Sequence, residues 1–177
     1  QYRDQARFFK GLSVWDDASM QKLQGNFPVI FLSFAAVKEN TFEGAVCQVK
    51  QLLFQLYNQY DFLMESEALN SREKNAFAAI TPDMPDTAIS NALHALTFYL
   101  YKHYQKKVII LLDEYDTPMQ EAFVNGYWNE ITALFRSLFN AAFKTNPYME
   151  RALMTGITRV SRESMFSDLN NLRIAGT

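Results

Sequence analysis

Asp113, Glu114 and Asp116 crowd together directly after the apolar run Val108-Ile109-Ile110-Leu111-Leu112, and Thr117-Pro118 follows them. Adjacent carboxylates can divide the labour of a phosphoryl-transfer site. One can hold Mg²⁺, usually through water, because that small ion keeps much of its hydration. Its neighbour can orient and deprotonate an attacking water. The apolar run is too short for an ordinary helix and reads as a strand buried on both faces of a parallel sheet. Ligand sites of open α/β sheets lie beyond the carboxyl ends of such strands. A buried strand that delivers adjacent acids there has the pattern of a Walker B segment. The plainer account is that Asp favours turns, so acids after an apolar strand are common. Asp116, just before Thr-Pro, fits that account; its functional reading is support behind a metal-holding acid.

The next polar residue at a strand end is Thr155, which closes the short run Arg151-Ala152-Leu153-Met154 about forty residues on, a normal span for a long crossover. A polar group there can sense a terminal phosphate. Arg159 and Arg162 follow closely, and either could stabilise charge on a transferred phosphate. Taken singly, each is better explained as a solvated residue. Tyr115 and Trp128 read as packing residues.

Two other functions use the same residues. A metal-dependent nuclease could take Asp113, Glu114 and Asp116 as ligands, but no Glu-x-Lys lies near them to supply the usual lysine. A non-catalytic interaction module could exploit the aromatic residues, which make up 15% of the chain.

The elements that must position these acids can be taken in order. Gln1 to Lys10 reads as the tail of a helix stopped by Gly11, and Asp16 to Leu23 as a short helix. Phe27 to Phe34 is a first strand, with Pro28 tolerated at its start. Asn40-Thr41 offers an N-cap to a helix whose stripe is Phe42, Val46, Val49, Leu53, Leu56 and Tyr60. A second helix covers Ser71 to Ile80. Asp86 caps a third, with the stripe Ile89, Leu93, Leu96, Leu100 and His103. After Pro118 a polar and aromatic connection leads to a helix carrying Ile131, Leu134, Phe135, Leu138, Phe139 and Ala142. Ser161 to Leu169 reads as a last short helix. Strands alternating with helices predict an α/β domain with parallel pairing and right-handed crossovers.

At 177 residues the chain is read as a single domain with room for a sizeable core. Its 17 Lys and Arg nearly balance 19 Asp and Glu, so no overall positive charge points to nucleic acid. The lone Cys47 leaves no internal disulfide or Cys-based zinc site and reads as a buried thiol. His94 and His103 read as structural. No apolar run is long enough to span a membrane, and a cytoplasmic setting is expected.

The segments Leu-Leu-Asp-Glu-Tyr-Asp-Thr-Pro at 111–118, Gly-Tyr-Trp at 126–128 and Thr-Gly-Ile-Thr-Arg-Val-Ser at 155–161 together resemble the bacterial AAA-ATPase-like family. The resemblance runs from Phe8-Phe9-Lys10-Gly11-Leu12 onward and is most specific in the second half. It implies a P-loop NTPase sheet, here of about three parallel strands with flanking helices, and ATP with Mg²⁺ as the bound groups. It places the Mg²⁺ acid on Asp113, the base on Glu114 and the sensor segment on Thr155 to Thr158; Thr158 and Asp116 are expected toward the nucleotide, and Arg159, by its place after Thr155, toward the transferred phosphate. Proteins of this kind often carry a nuclease-like domain further downstream. One departure matters: no Gly-x-x-x-x-Gly-Lys-Ser/Thr is present, and none of the six glycines precedes a lysine. The expectation is therefore that residues 1–177 form part of an AAA-ATPase-like domain without its first strand and P-loop, inactive alone. The strand order expected is Thr155 strand, acid strand, then the Phe27 strand. That order leaves the Met149–Gly156 strand as an edge, expected to be covered by a second copy or a neighbour.

Overall fold

The structure, a computed structural model, describes residues 5–157. Its centre is a sheet of three parallel strands, β1 Val29–Ser33, β2 Val108–Asp113 and β3 Met149–Met154, in the order β1-β2-β3. This is the expected order, with the acid-bearing strand in the middle. Register is set by pairs such as Leu32 with Leu112 and Leu112 with Met154. Helix α1 Ala18–Gln21 precedes β1; helices α2 Phe42–Asn58, α3 Ser71–Ala78 and α4 Asp86–Tyr104 connect β1 to β2, and α5 Thr117–Asn125 and α6 Trp128–Phe143 connect β2 to β3.

Strand order explains where the core lies. Stepping from β1 to β2 to β3 moves the same way twice, so two right-handed crossovers lay their helices on one face of the sheet. Ile30, Leu32, Ile110 and Leu112 point into that layer and are almost fully buried, together with Leu53, Leu93, Leu96, Phe135 and Phe139. The opposite face is open: Val29, Phe31 and Leu153 are 42%, 54% and 59% exposed. The expectation that β2 is buried on both faces is corrected here, because its residues alternate between buried and half-buried. A run of β-branched and leucine residues cannot by itself reveal that, among the described residues, the helices lie on one side of it.

Local chemistry accounts for most helix ends. Thr41 caps α2 by accepting from the Gly44 N–H at 3.1 Å. Asn70 and Glu73 form a reciprocal capping box on α3, and Glu73 also meets Lys102 of α4 at 2.7 Å. Four readings are corrected. Between Gln5 and Lys10 the chain makes a 3-10 turn, Ala6–Phe8, in place of a helix tail. Pro85, not Asp86, is the N-cap of α4, since the Asp86 carboxylate is drawn 2.7 Å from Lys50 of α2. Thr117-Pro118 opens a helix, α5, where a polar connection was expected; proline in a first turn gives up an N–H that has no partner there anyway. Cys47 is exposed, because it sits one residue, about 100°, off the stripe that Val46 belongs to. His103 ends its stripe at the surface, where its Nδ1 lies 2.8 Å from the Ser66 hydroxyl.

Two buried polar groups inside the helix layer, Tyr57 and Asn146, show how such groups are paired there. The Tyr57 hydroxyl donates to the Ala92 carbonyl at 2.7 Å, and burial pushes its ionisation well above the ordinary 10. Asn146, after α6, donates to the Thr97 hydroxyl and to the Ala142 carbonyl at 3.0 and 2.8 Å. The bond to Thr97 ties the chain entering β3 to α4, and the bond to Ala142 ties it to the end of α6.

Candidate functional site

β2 ends on Asp113 at the carboxyl rim of the sheet, and the chain turns at once. Glu114 takes a left-handed backbone conformation, φ +49°, that residues other than glycine rarely adopt. Such strain persists only where surrounding structure imposes it, and it clusters at functional positions. The imposing contacts are visible. The Phe34 N–H donates to the Asp113 carbonyl at 2.9 Å, the Tyr115 N–H to the Thr155 carbonyl at 3.2 Å, and the Thr155 N–H to the Leu112 carbonyl at 2.9 Å. The backbone on both sides of Glu114 is therefore pinned to β1 and β3.

The side chains converge in the same place. The Thr155 hydroxyl donates to Asp113 Oδ1, which joins the two residues that sequence reasoning set at neighbouring strand ends. Ser33, the last residue of β1, pairs with Asp113 in register from the other side. Asp113 and Glu114 are half-buried and Thr155 is exposed, so the group faces an accessible rim. Glu114 Oε2 accepts from the Thr117 hydroxyl at 3.3 Å, which orients the carboxylate over the start of α5.

Asp116 behaves differently. It is 1% exposed, and its Oδ2 accepts from the Ile157 N–H at 3.1 Å and from the Gln120 side-chain amide at 2.9 Å. Its carboxylate faces the protein, which suits support of the site and not a third metal ligand beside Asp113 and Glu114. Tyr115 and Trp128 pack against the core, as their sequence context suggests. Thr158, Arg159 and Arg162 lie outside the described residues, as does the helix expected at Ser161 to Leu169. Sequence reasoning missed Ser33, whose signal was a polar residue ending an apolar strand, and Gly156, whose role depends on contact with Asp116.

A parallel α/β layer with adjacent acids at the carboxyl rim of its central strand, the first touched by a threonine on the next strand, is compatible with a partial P-loop NTPase-like fold. The sequence agrees with that class. The chain belongs to the predicted AAA-ATPase (AAA-ATPase-like) family, whose model matches residues 1–166. Over 68 residues it is also 31% identical to the "Uncharacterized protein in vnfD 5′region" of Azotobacter chroococcum mcd 1, a match covering 38% of this chain and 13% of that protein. No solved structure matches. Among the described residues no helix is long and apolar enough to cross a membrane.

Proposed function

We propose that this chain carries the acid half of a Mg²⁺-dependent ATP-hydrolysing site. The observation that bears most weight is the hydrogen bond joining Thr155 to Asp113 at the rim, beside a Glu114 held in a strained backbone conformation. In this reading Asp113 is the Mg²⁺ acid, Glu114 orients and deprotonates the attacking water, and Thr155 senses the terminal phosphate. One half-exposed carboxylate touched by a threonine hydroxyl fits an ion that keeps most of its waters, and does not fit a dry all-protein cage. When bound, Mg²⁺ would neutralise charge on the phosphates. Thr158 toward the nucleotide, from the family's sensor segment, and Arg159 toward the transferred phosphate, from its place after Thr155, complete the assignment. A cytoplasmic setting and a nuclease-like domain elsewhere in the protein are parts of the same proposal.

The phosphate-cradling loop and its lysine, absent from the 177 residues, would come from a further segment. Binding of a fluorescent ATP analogue tests this. The 177-residue chain is expected to bind weakly or not at all. A chain extended to include the phosphate-binding loop should bind with Mg²⁺ present. Equal, tight binding by the short chain would refute the division of the site, and no binding by either would refute the nucleotide reading. The nuclease reading is disfavoured because the Asp116 carboxylate is buried and already engaged.

Among the described residues β3 is an edge strand, exposed over Glu150 to Leu153, and an unpaired edge recruits a partner. A second copy pairing along Met149–Gly156 is the self-association expected of the isolated chain. Sedimentation should show a dimer that Leu153→Lys weakens. A monomer at every concentration removes this proposal.

A further inference from the structure

As the N-cap residue of α5, Asp116 holds the position where an aspartate ordinarily accepts from the helix's own first N–H groups, yet no such side-chain bond is made. Its carboxylate reaches instead to the chain leaving β3, where it meets the Ile157 N–H, 41 residues away in sequence. Gly156 makes that approach possible. A Cβ at position 156 would overlap the Asp116 carboxylate, with Asp116 Cγ only 2.8 Å away, so that carboxylate would have to shift, and it would press on the Tyr115 ring at 3.0 Å. The Tyr115 N–H to Thr155 carbonyl bond lies directly beside this contact. Thr155 and Ile157 are thus bonded to the loop 113–116, and Gly156 between them lies close against it.

We infer that Asp116 is a positioning residue: its carboxylate, seated against Gly156 and bonded to the Ile157 N–H, latches the acid loop to the end of β3. The latch keeps Asp113 beside Thr155 and holds Glu114 in its left-handed conformation. A buried carboxylate accepting an amide proton makes a stronger bond than a neutral acceptor, which suits a contact that must hold a strained turn. Its catalytic meaning rests on the hydrolase reading above; its existence as a latch does not.

Amide hydrogen exchange on the 177-residue chain tests the latch without any turnover. Asp116→Ala is expected to speed exchange at Tyr115 and Ile157 by about tenfold or more while leaving the β1–β2 ladder protected, the pattern of a local opening. Asp116→Asn keeps an acceptor oxygen and should restore most of the protection, which also covers the case in which the alanine variant fails to fold. Gly156→Ala should reproduce the opening alone and add little in the Asp116→Ala background, because both changes break one contact. Unchanged exchange at Tyr115 and Ile157, or full additivity, overturns the latch. In the natural protein carrying this chain, Gly156→Ala and Asp116→Ala should lower kcat by about 10–100-fold with KM for ATP little changed, the cost typical of a residue standing behind a metal site. Open exchange with unchanged kcat would overturn the positioning role. Absence of ATP turnover in the wild type would sink the hydrolase reading and the catalytic role together, and exchange would still decide the latch.

Discussion

Glu114→Gln is expected to reduce ATP turnover by about 10²–10⁴-fold, the usual contribution of a positioned general base, while nucleotide binding survives. The substitution keeps size and the Thr117 hydrogen bond but removes the group that accepts a proton from water. It should be measured in a form of the protein that contains the phosphate-binding loop, by steady-state phosphate release and by binding of an ATP analogue. A variant that still turns over at the wild-type rate ends the assignment of Glu114. The backbone supplies an independent check. Since Glu114 sits at φ +49°, Glu114→Gly relieves a cost of about 1–2 kcal/mol, partly offset by the greater freedom of glycine in the unfolded chain. The glycine variant should therefore be inactive yet as stable as the wild type, or more stable by up to about 1 kcal/mol. Loss of activity caused merely by unfolding would show the opposite sign in a thermal melt.

The largest expected loss of stability follows Phe34→Ala. Phe34 is fully buried just beyond β1, with its ring 5.0 Å from that of Phe135 and 6.2 Å from that of Phe139, both on α6. Truncating a buried phenylalanine removes its transfer free energy and leaves a cavity, about 3–5 kcal/mol in all. A domain of this size has only about 5–15 kcal/mol to lose, and each kcal/mol moves its melting temperature by about 2–4 °C. A drop of about 6–20 °C is therefore expected, read by circular dichroism. Phe34→Leu, which keeps most of the volume, should cost much less. A shift of under ~1 kcal/mol for the alanine variant would mean that the aromatic cluster does not carry the contact between β1 and α6. The effect should also reach the site, because the Phe34 N–H is bonded to the Asp113 carbonyl.

The stripes of α2, α4 and α6, the short apolar runs of β1 and β2, and the carboxylates after Leu112 were all legible in the chain. Periodicity and turn chemistry act over a few residues, and those few residues are visible side by side. For the same reason Thr155 could be placed at a strand end, and the three-strand order could be anticipated from the family resemblance. Local errors arose where one signal served two structures. Thr117-Pro118 was compatible with stopping a strand or opening a helix, and only the turn made by Glu114 and Asp116 decided for α5.

What the tertiary structure alone decided concerns faces and partners. That β2 has one open side follows from two crossovers stepping the same way, a property of strand order that no composition of the strand encodes. The left-handed conformation of Glu114 contradicts its local preference and is imposed by bonds from β1 and β3. Asp116 looked like an ordinary turn acid because the atoms that give it another purpose, the Ile157 N–H and the bare Cα of Gly156, arrive only when β3 has paired with β2. Residue types and short spacings therefore determined the chemistry available to this chain, while pairing between distant strands determined which of its acids face the rim and which one holds the others there.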